Sequence, residues 1–329
     1  EEILGRSLFA NTVLAKYTRP TPVQKYSIPI GRANRDLMAC AQTGSGKTAG
    51  FLFPAIIVML RDGPKEKPEQ RYQSRYAKSY PGTLIMAPTR ELASQIHDEA
   101  RKFCYMTGLA PVCVYGGADV GQQIRELGRG CDILTATPGR LGDLIERGRI
   151  SLACCRLLIL DEADRMLDMG FIHDVRRIVS QLPTERQTLF FSATLVGEIA
   201  DLASDMLRRP SQVAVTPAAS VSGKIAQKVL FVAQADKRAL LADILKGEGV
   251  QRALVFTRTK HRANRIARQL ADDGISADAI HSNKSQGARQ RALAAFDHGR
   301  VKVLVATDIV ARGIDVDGIS HVINFEMPD

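Results

Sequence analysis

The stretch 39–53, ACAQTGSGKTAGFLF, allows few folds. Gly44, Ser45, Gly46, Lys47 and Thr48 read as a turn that aims several backbone N–H groups one way. The turn runs from a strand-like apolar segment straight into an apolar run of helical length. Unpaired N–H groups and the helix dipole both favour negative charge at such a junction, so the segment predicts a strand, an anion-binding loop and a helix in that order. In a loop of this kind the lysine reaches the β- and γ-phosphates of a nucleotide and the next hydroxyl ligates Mg²⁺, which gives those parts to Lys47 and Thr48. The generic loop GxxxxGK[ST] opens on glycine, whereas here that place is held by Ala41. A Gly/Ser turn with an exposed lysine is the plainer alternative, and a metal-holding acid further along the chain separates the two.

Apolar segments of strand length alternate with helical patterns on both sides of this loop. Helical spacing over 1–16 and a Pro-broken stretch at 17–29 precede it, and a helix over 51–60 follows it. The charged segment 61–80 has no periodicity and reads as a solvated loop. Strands are expected at 83–87, 111–116, 132–136, 156–160 and 187–192. Helices are expected from 88 to 104, around 122–127, over 139–146 and over 196–207. Strands that are apolar throughout and alternate with helices imply a parallel sheet covered on both faces. Residues 210–224 are rich in Pro, Ala, Ser and Gly, which marks a boundary. The expected division is a first domain over 1–212, a linker over 213–224 and a second domain over 225–329. In the second part strands are expected at 228–233, 253–257, 277–281, 301–307 and 321–326, with helices over 237–246, 262–273 and 289–297.

A chain of 329 residues is long enough for two cores. Its formal charge of +10 favours a polyanionic partner, of which nucleic acid is the commonest. The six cysteines lie in the first half without CxxC or metal-like spacing, and read as buried small hydrophobes in a reducing compartment. No apolar run reaches membrane-spanning length and no signal-peptide pattern opens the chain. The first residues look like the middle of a helix, so further sequence is expected upstream.

The decisive second half of the site is RLLILDEAD at 156–164. An apolar strand that ends in acids puts Asp161 at the carboxyl end of a parallel strand, where α/β sheets bind ligands. Asp161 suits the metal, directly or through water, and Glu162 suits orientation and deprotonation of an attacking water. With the loop at Lys47, these motifs resemble the DEAD-box RNA helicases of helicase superfamily 2, in order and over almost the whole chain. The resemblance implies two tandem RecA-like domains, α/β with parallel sheets covered by helices, the second incomplete. It implies ATP and Mg²⁺ as cofactors, the metal held at Thr48 and Asp161, and Lys47, Thr48, Asp161, Glu162, Ser192 and Thr194 as the catalytic set. Tyr17, Arg19 and Gln24 fall in the family's Q motif, where an aromatic stacks on adenine and a carboxamide pairs with it. Ala41, Thr43, Gly44, Ser45, Gly46, Lys47 and Thr48 cradle the phosphates; from the second domain Gly313 joins the ATP-binding set and Asp315 touches the ATP ribose. Ser192-Ala193-Thr194 resembles the motif that couples hydrolysis to RNA remodelling, its hydroxyls within reach of Asp164.

The same likeness assigns RNA contacts to Pro88, Thr89, Arg90, Gly117, Thr137 and Arg140 in the first domain. In the second it assigns them to Thr257, Arg258, Thr307 and Asp308. Taken singly, the first-domain motifs are ordinary capped helix starts. Val310 and Ser282 depart from the family's usual Ala and Gly. His281 reads as a strand-end histidine. The family's motif VI, an HRxGRxxR run carrying an arginine finger, is expected shortly after Phe325-Glu326-Met327-Pro328, and the sequence given reaches only Asp329. Such a finger is worth about 10³ to 10⁵ in rate in related hydrolases, so slow turnover of this chain is expected. The implied activity is ATP-dependent RNA unwinding or remodelling of RNA–protein complexes by a monomer. RNA would be held at its backbone across both domains, with little sequence preference, and protein regulators remain open. The implied location is intracellular, in cytoplasm or nucleus. Two other readings use the same motifs: an RNA clamp with suppressed turnover, and a DNA-directed motor, against which the Q motif and the DEAD spelling argue. No LSGGQ-like signature supports a transporter-type ATPase.

Overall fold

The computed structural model describes residues 5–42, 44–63, 78–195, 197–215, 225–281, 283–307 and 318–326. The chain divides into two units, Glu1–Lys224 and Ile225–Asp329. In the first, α1 (Arg6–Leu14) and α2 (Pro22–Arg32) precede β1 (Leu37–Cys40) and α3 (Lys47–Asp62). Then come β2 (Thr83–Met86), α4 (Arg90–Phe103), β3 (Pro111–Val114), α5 (Val120–Gly128), β4 (Ile133–Ala136), α6 (Pro138–Glu146) and β5 (Leu157–Leu160). The unit ends with α7 (Ala163–Asp168), α8 (Ile172–Val179), β6 (Gln187–Ser192), α9 (Glu198–Met206) and β7 (Ser211–Ala214).

The seven strands form one sheet in the order β3-β4-β2-β5-β6-β1-β7, every pair parallel. Alternate strand residues face opposite sides, and each side has its own core. Leu37, Ile85, Ile159, Leu189 and Phe191 pack with Phe51, Ile56 and Phe103 on one face. Leu84, Met86, Leu158, Leu160 and Phe190 pack with Leu141, Met166, Val175 and Leu202 on the other. This is the doubly covered parallel sheet expected from the apolar strands. β7 pairs with β1 from Leu37↔Ser211 to Cys40↔Ala214, so the first sheet passes residue 212, where the sequence places the end of the domain. Of the insert at 61–80, residues 64–77 lie outside the described residues, and Ser79 makes an isolated bridge to Ile150.

The second unit holds α10 (Lys237–Lys246), β8 (Ala253–Thr257), α11 (Lys260–Asp272), β9 (Ala277–Ile280), α12 (Gln286–Asp297), β10 (Val303–Thr307) and β11 (His321–Asn324). Its parallel sheet runs β11-β8-β10-β9. Ala253, Val255, Val303 and Val305 pack against α10 and α11 on one face, and Leu254, Leu304 and Ile280 pack with Phe296 on the other. The strand expected at 228–233 does not form. That stretch belongs to no helix or strand, and Phe231 is 97% exposed. Strand preference is realised only against a neighbour, and none of the described strands pairs with this run. Among the described residues no helix is long and apolar enough to cross a membrane.

Candidate active site and nucleic-acid interface

The phosphate-loop, acid and RNA-contact candidates of the first unit follow the carboxyl ends of parallel strands, whereas Tyr17, Arg19 and Gln24 precede β1. The phosphate loop follows β1, Thr89 follows β2, Thr137 follows β4, Asp161 follows β5, and Ser192 ends β6. Because β6 lies between β5 and β1, the segment from Ser192 to Thr194 sits between the acids and the loop. Ala41 N–H donates to Ser192 O at 3.0 Å, and the Cys40 thiol donates to Ala193 O at 3.3 Å.

The loop turns through Gly44 at φ +78° and Gly46 at φ +87°, both left-handed. Ser45 Oγ donates to Gln42 O at 2.7 Å, and Gly46 is the N-cap of α3. A Cβ at position 46 would lie 2.7 Å from Gln24 Nε2, so glycine is required there for space as well as for φ. Lys47 and Thr48 open α3. Thr43 lies outside the described residues.

Lys47 Nζ stands 3.5 Å from Asp161 Oδ1, with both side chains nearly buried at 6% and 3% exposure. Among the described residues neither atom has a hydrogen-bond partner, and the same holds for the buried Ser192 hydroxyl. Burial pushes the Asp161 carboxyl up from its ordinary value, and Lys47 opposes that shift. Polar groups this buried are normally satisfied, so three unpartnered ones around the loop fit a site for a polar ligand. A cation and an anion facing each other without a hydrogen bond suit a phosphate bound with its metal. Among the described residues no cluster of three metal-ligating side chains forms.

Glu162 caps α7 at φ +54°, a left-handed backbone rare for a non-glycine residue. Its Oε2 accepts from Arg165 Nη1 at 2.7 Å inside the protein. Asp164 points toward β6: its Oδ2 accepts from Ala193 N–H at 3.1 Å, Thr194 N–H at 3.2 Å and Thr194 Oγ1 at 3.4 Å. Of the two hydroxyls expected to reach Asp164, that of Thr194 does. The Ser192 hydroxyl has no such bond.

Gln24 is buried and both ends of its carboxamide are in use. Oε1 accepts from Thr21 N–H at 2.9 Å and Nε2 donates to Gly46 O at 3.0 Å. The residue expected to face adenine thus ties the start of α2 to the phosphate loop. Tyr17 packs edge-on to Phe103, centroids 5.3 Å apart, and against Phe53 at 6.2 Å, with its hydroxyl 3.5 Å from Glu99. Arg19 is exposed in the turn between them.

The expected RNA residues of the first unit lie at helix starts along the same sheet edge. Buried Pro88 precedes Thr89, which N-caps α4 by accepting from Leu92 N–H at 3.3 Å. Thr137 caps α6. Gly117, at φ +81°, leaves room for the Arg90 guanidinium; an added Cβ would lie 2.7 Å from Arg90 Cζ. Arg140 Nη1 and Nη2 both donate to Ala118 O, and Nη1 also donates to Gln123 Oε1 at 3.0 Å. In the second unit Thr257 and Thr307 are register partners at the ends of β8 and β10. Arg258 N–H donates to Glu326 Oε2 at 2.9 Å, and Arg262 pairs with the same carboxylate. His281, buried after β9, bonds Asn264 Oδ1 at 2.9 Å, as a strand-end histidine does. Asp308, Val310, Gly313, Asp315 and Ser282 lie outside the described residues. Arg165 and Gln123 were missed by the sequence reading. The i,i+3 spacing from Glu162 signals the first, whereas nothing local signals the second.

A parallel sheet whose edge gathers a left-handed glycine loop, a lysine and a buried acid is a nucleoside-triphosphate site of the strand–loop–helix class. A DEAD/DEAH box helicase family model matches residues 21–202, and a helicase conserved C-terminal domain model matches 236–329. The chain belongs to the DEAD/DEAH box helicase family, and its activity is that of an ATP-hydrolysing RNA helicase. Among solved structures it is similar to Saccharomyces cerevisiae Dbp5 bound to RNA and ADP BeF3, with a TM-score of 0.81 and 25% identity over 99% of this chain and 79% of that one. A Dbp5 variant bound to a Gle1 variant and IP6 matches with a TM-score of 0.71 and 26% identity, covering 99% of this chain and 78% of that one. The RNA helicase Prp28 of Chaetomium thermophilum bound to ADP is 38% identical with a TM-score of 0.57, covering 99% of this chain and 76% of that one.

Proposed function

We propose that the chain couples Mg²⁺–ATP hydrolysis to local separation of short RNA duplexes, or to remodelling of RNA–protein complexes, by gripping one strand at its sugar–phosphate backbone. The observation that carries the reading is the meeting of Lys47 Nζ and Asp161 Oδ1 at 3.5 Å, buried beside the phosphate loop. Lys47 is the phosphate-neutralising cation, and Thr48 and Asp161 would hold Mg²⁺. Held there, Mg²⁺ would supply positive charge against that of the phosphates. Glu162, fixed by Arg165, accepts the proton of the attacking water. Asp164 ties that acid-bearing turn to Ala193 and Thr194, giving the hydrolytic end of β5 a direct mechanical link to β6. Gln24 holds Thr21 N–H and Gly46 O with one lone pair and one N–H, which leaves the second lone pair and the second N–H of its carboxamide for adenine; nucleotide arrival is then felt at the loop itself. Pro88, Thr89, Arg90, Gly117 and Thr137 supply the first unit's backbone contacts, and Thr257, Arg258 and Thr307 those of the second. Dbp5 bound to RNA supports RNA as the polymer. Contacts of this kind predict weak sequence preference and steep salt dependence.

The test is RNA-stimulated ATP turnover in the wild-type chain and in Glu162→Gln. The variant should bind ATP as the wild type does and turn it over about 10² to 10⁴ times more slowly. Equal turnover in the two would remove Glu162 from the chemistry.

A further inference from the structure

The loop from Tyr115 to Asp119 joins β3 to α5 and contains two adjacent glycines, so its own chain gives it little stiffness. Three side chains from outside it take up that role. The Arg90 guanidinium fills the space that Gly117 leaves. From α6, Arg140 places Nη1 and Nη2 at 3.4 and 3.3 Å from Ala118 O, while its Nε stands 3.9 Å from Asp143 Oδ2. From α5, Gln123, only 5% exposed, accepts from Arg140 Nη1 at 3.0 Å and donates to Tyr115 O at 3.0 Å. A carboxamide is suited to this place because it accepts at one end and donates at the other; carboxylate only accepts, and lysine only donates.

We propose that Gln123 and Arg140 form a single strut that fixes the 115–118 loop for RNA. Gln123 is a positioning residue, and Arg140 acts through the loop and not as a phosphate contact. The proposal rests on the RNA reading above and reassigns one residue within it. Arg140 is 13% exposed, and each of its three guanidinium nitrogens faces an acceptor of the protein itself. A guanidinium placed to meet phosphate from solution would leave its fork facing solvent.

The two roles differ in measurable ways. A phosphate contact contributes about one unit of charge to the slope of log K against log salt, whereas a strut contributes none. A contact made by charge tolerates lysine, whereas a strut built on the planar fork does not. The experiment measures binding of a labelled oligouridine across a salt series, with a non-hydrolysable ATP analogue present. The proteins are the wild-type chain, Gln123→Met, Arg140→Met, Arg140→Lys and the double variant Gln123→Met/Arg140→Met. Each single variant should bind RNA about tenfold more weakly, with ATP affinity and salt slope unchanged. Arg140→Lys should be as weak as Arg140→Met, and the double variant no more than about twofold weaker than the weaker single. A slope lower by about one in Arg140→Met, with wild-type affinity in Arg140→Lys, would overturn the proposal in favour of direct contact. Additive losses in the double variant would also overturn it. A thermal unfolding scan accompanies each protein, and Arg140→Lys, which keeps the charge, still decides the question if Gln123→Met does not fold. A wild-type chain that binds no RNA would overturn the functional reading itself, which separates that failure from this one.

Discussion

Replacing Asp164 by alanine tests the link between the acid-bearing turn and the end of β6. The Asp164 carboxylate accepts four hydrogen bonds: from Arg165 N–H at 3.0 Å, Ala193 N–H at 3.1 Å, Thr194 N–H at 3.2 Å and Thr194 Oγ1 at 3.4 Å. Three of the four come from the 193–194 segment, which lies outside the β6 ladder. A hydrogen bond to a charged group contributes about 1.5 to 3 kcal/mol when buried. These are exposed, so solvent takes over part of each lost bond and the total is nearer 1 to 2 kcal/mol by the same reasoning, roughly. For a unit of this size about 1 kcal/mol moves the midpoint by about 2 to 4 °C, which gives a fall of roughly 2 to 8 °C for the first unit's transition. The sharper assay is native-state hydrogen exchange. The amides of Ala193 and Thr194 should exchange about 5- to 30-fold faster in Asp164→Ala, while those inside β6 keep their protection. Unchanged protection at both amides would refute the reasoning, because Asp164 would then not be what orders that segment.

Three further outcomes follow from the same geometry. Gly117→Ala forces a side chain into the left-handed region at φ +81° and against the Arg90 guanidinium, costing about 1 to 2 kcal/mol in local order. RNA affinity measured by anisotropy should fall about 5- to 30-fold with the ATP affinity unchanged. His97, on α4, is held below its ordinary pKa of 6.5 chiefly by burial. A lowered folded value means that stability is whole above 6.5 and declines as pH falls below it, because the unfolded chain takes up a proton first. Chemical denaturation of His97→Gln should show a shallower acid-side decline than the wild type. Finally, Gln24→Met severs Thr21 N–H and Gly46 O at once, and ATP affinity by fluorescence should fall about tenfold even where adenine is replaced by another base. A loss confined to ATP would place the effect at the base alone.

How far the sequence carries is best judged on particular residues. Gly44 to Thr48 and Asp161 are legible because phosphate and metal chemistry impose residue types at fixed spacing, and because strand ends place them on one sheet edge. Strands such as 157–160 and 253–256 are legible because burial on both faces leaves an unbroken apolar run. The run 228–233 looks the same in sequence, yet strand formation there depends on an edge to pair with, which local pattern does not contain. β7 fails in the opposite way: Ser211–Ala214 sits among Pro, Ser and Ala, and becomes a strand only because β1 offers its edge. The carboxamide of Gln24 and the guanidinium of Arg140 show the limit for sites. Their residue type announces a polar contact, but whether the partner is a ligand or the protein's own backbone is decided by tertiary neighbours.

The most direct test of the account is calorimetric titration of ATP, with and without Mg²⁺, into the wild-type chain, Lys47→Met and Asp161→Asn. If the loop and the acid serve one metal-bound triphosphate, wild-type binding tightens with Mg²⁺, Asp161→Asn loses that tightening, and Lys47→Met weakens binding under both conditions. Mg²⁺-enhanced binding that survives intact in Asp161→Asn would contradict the account.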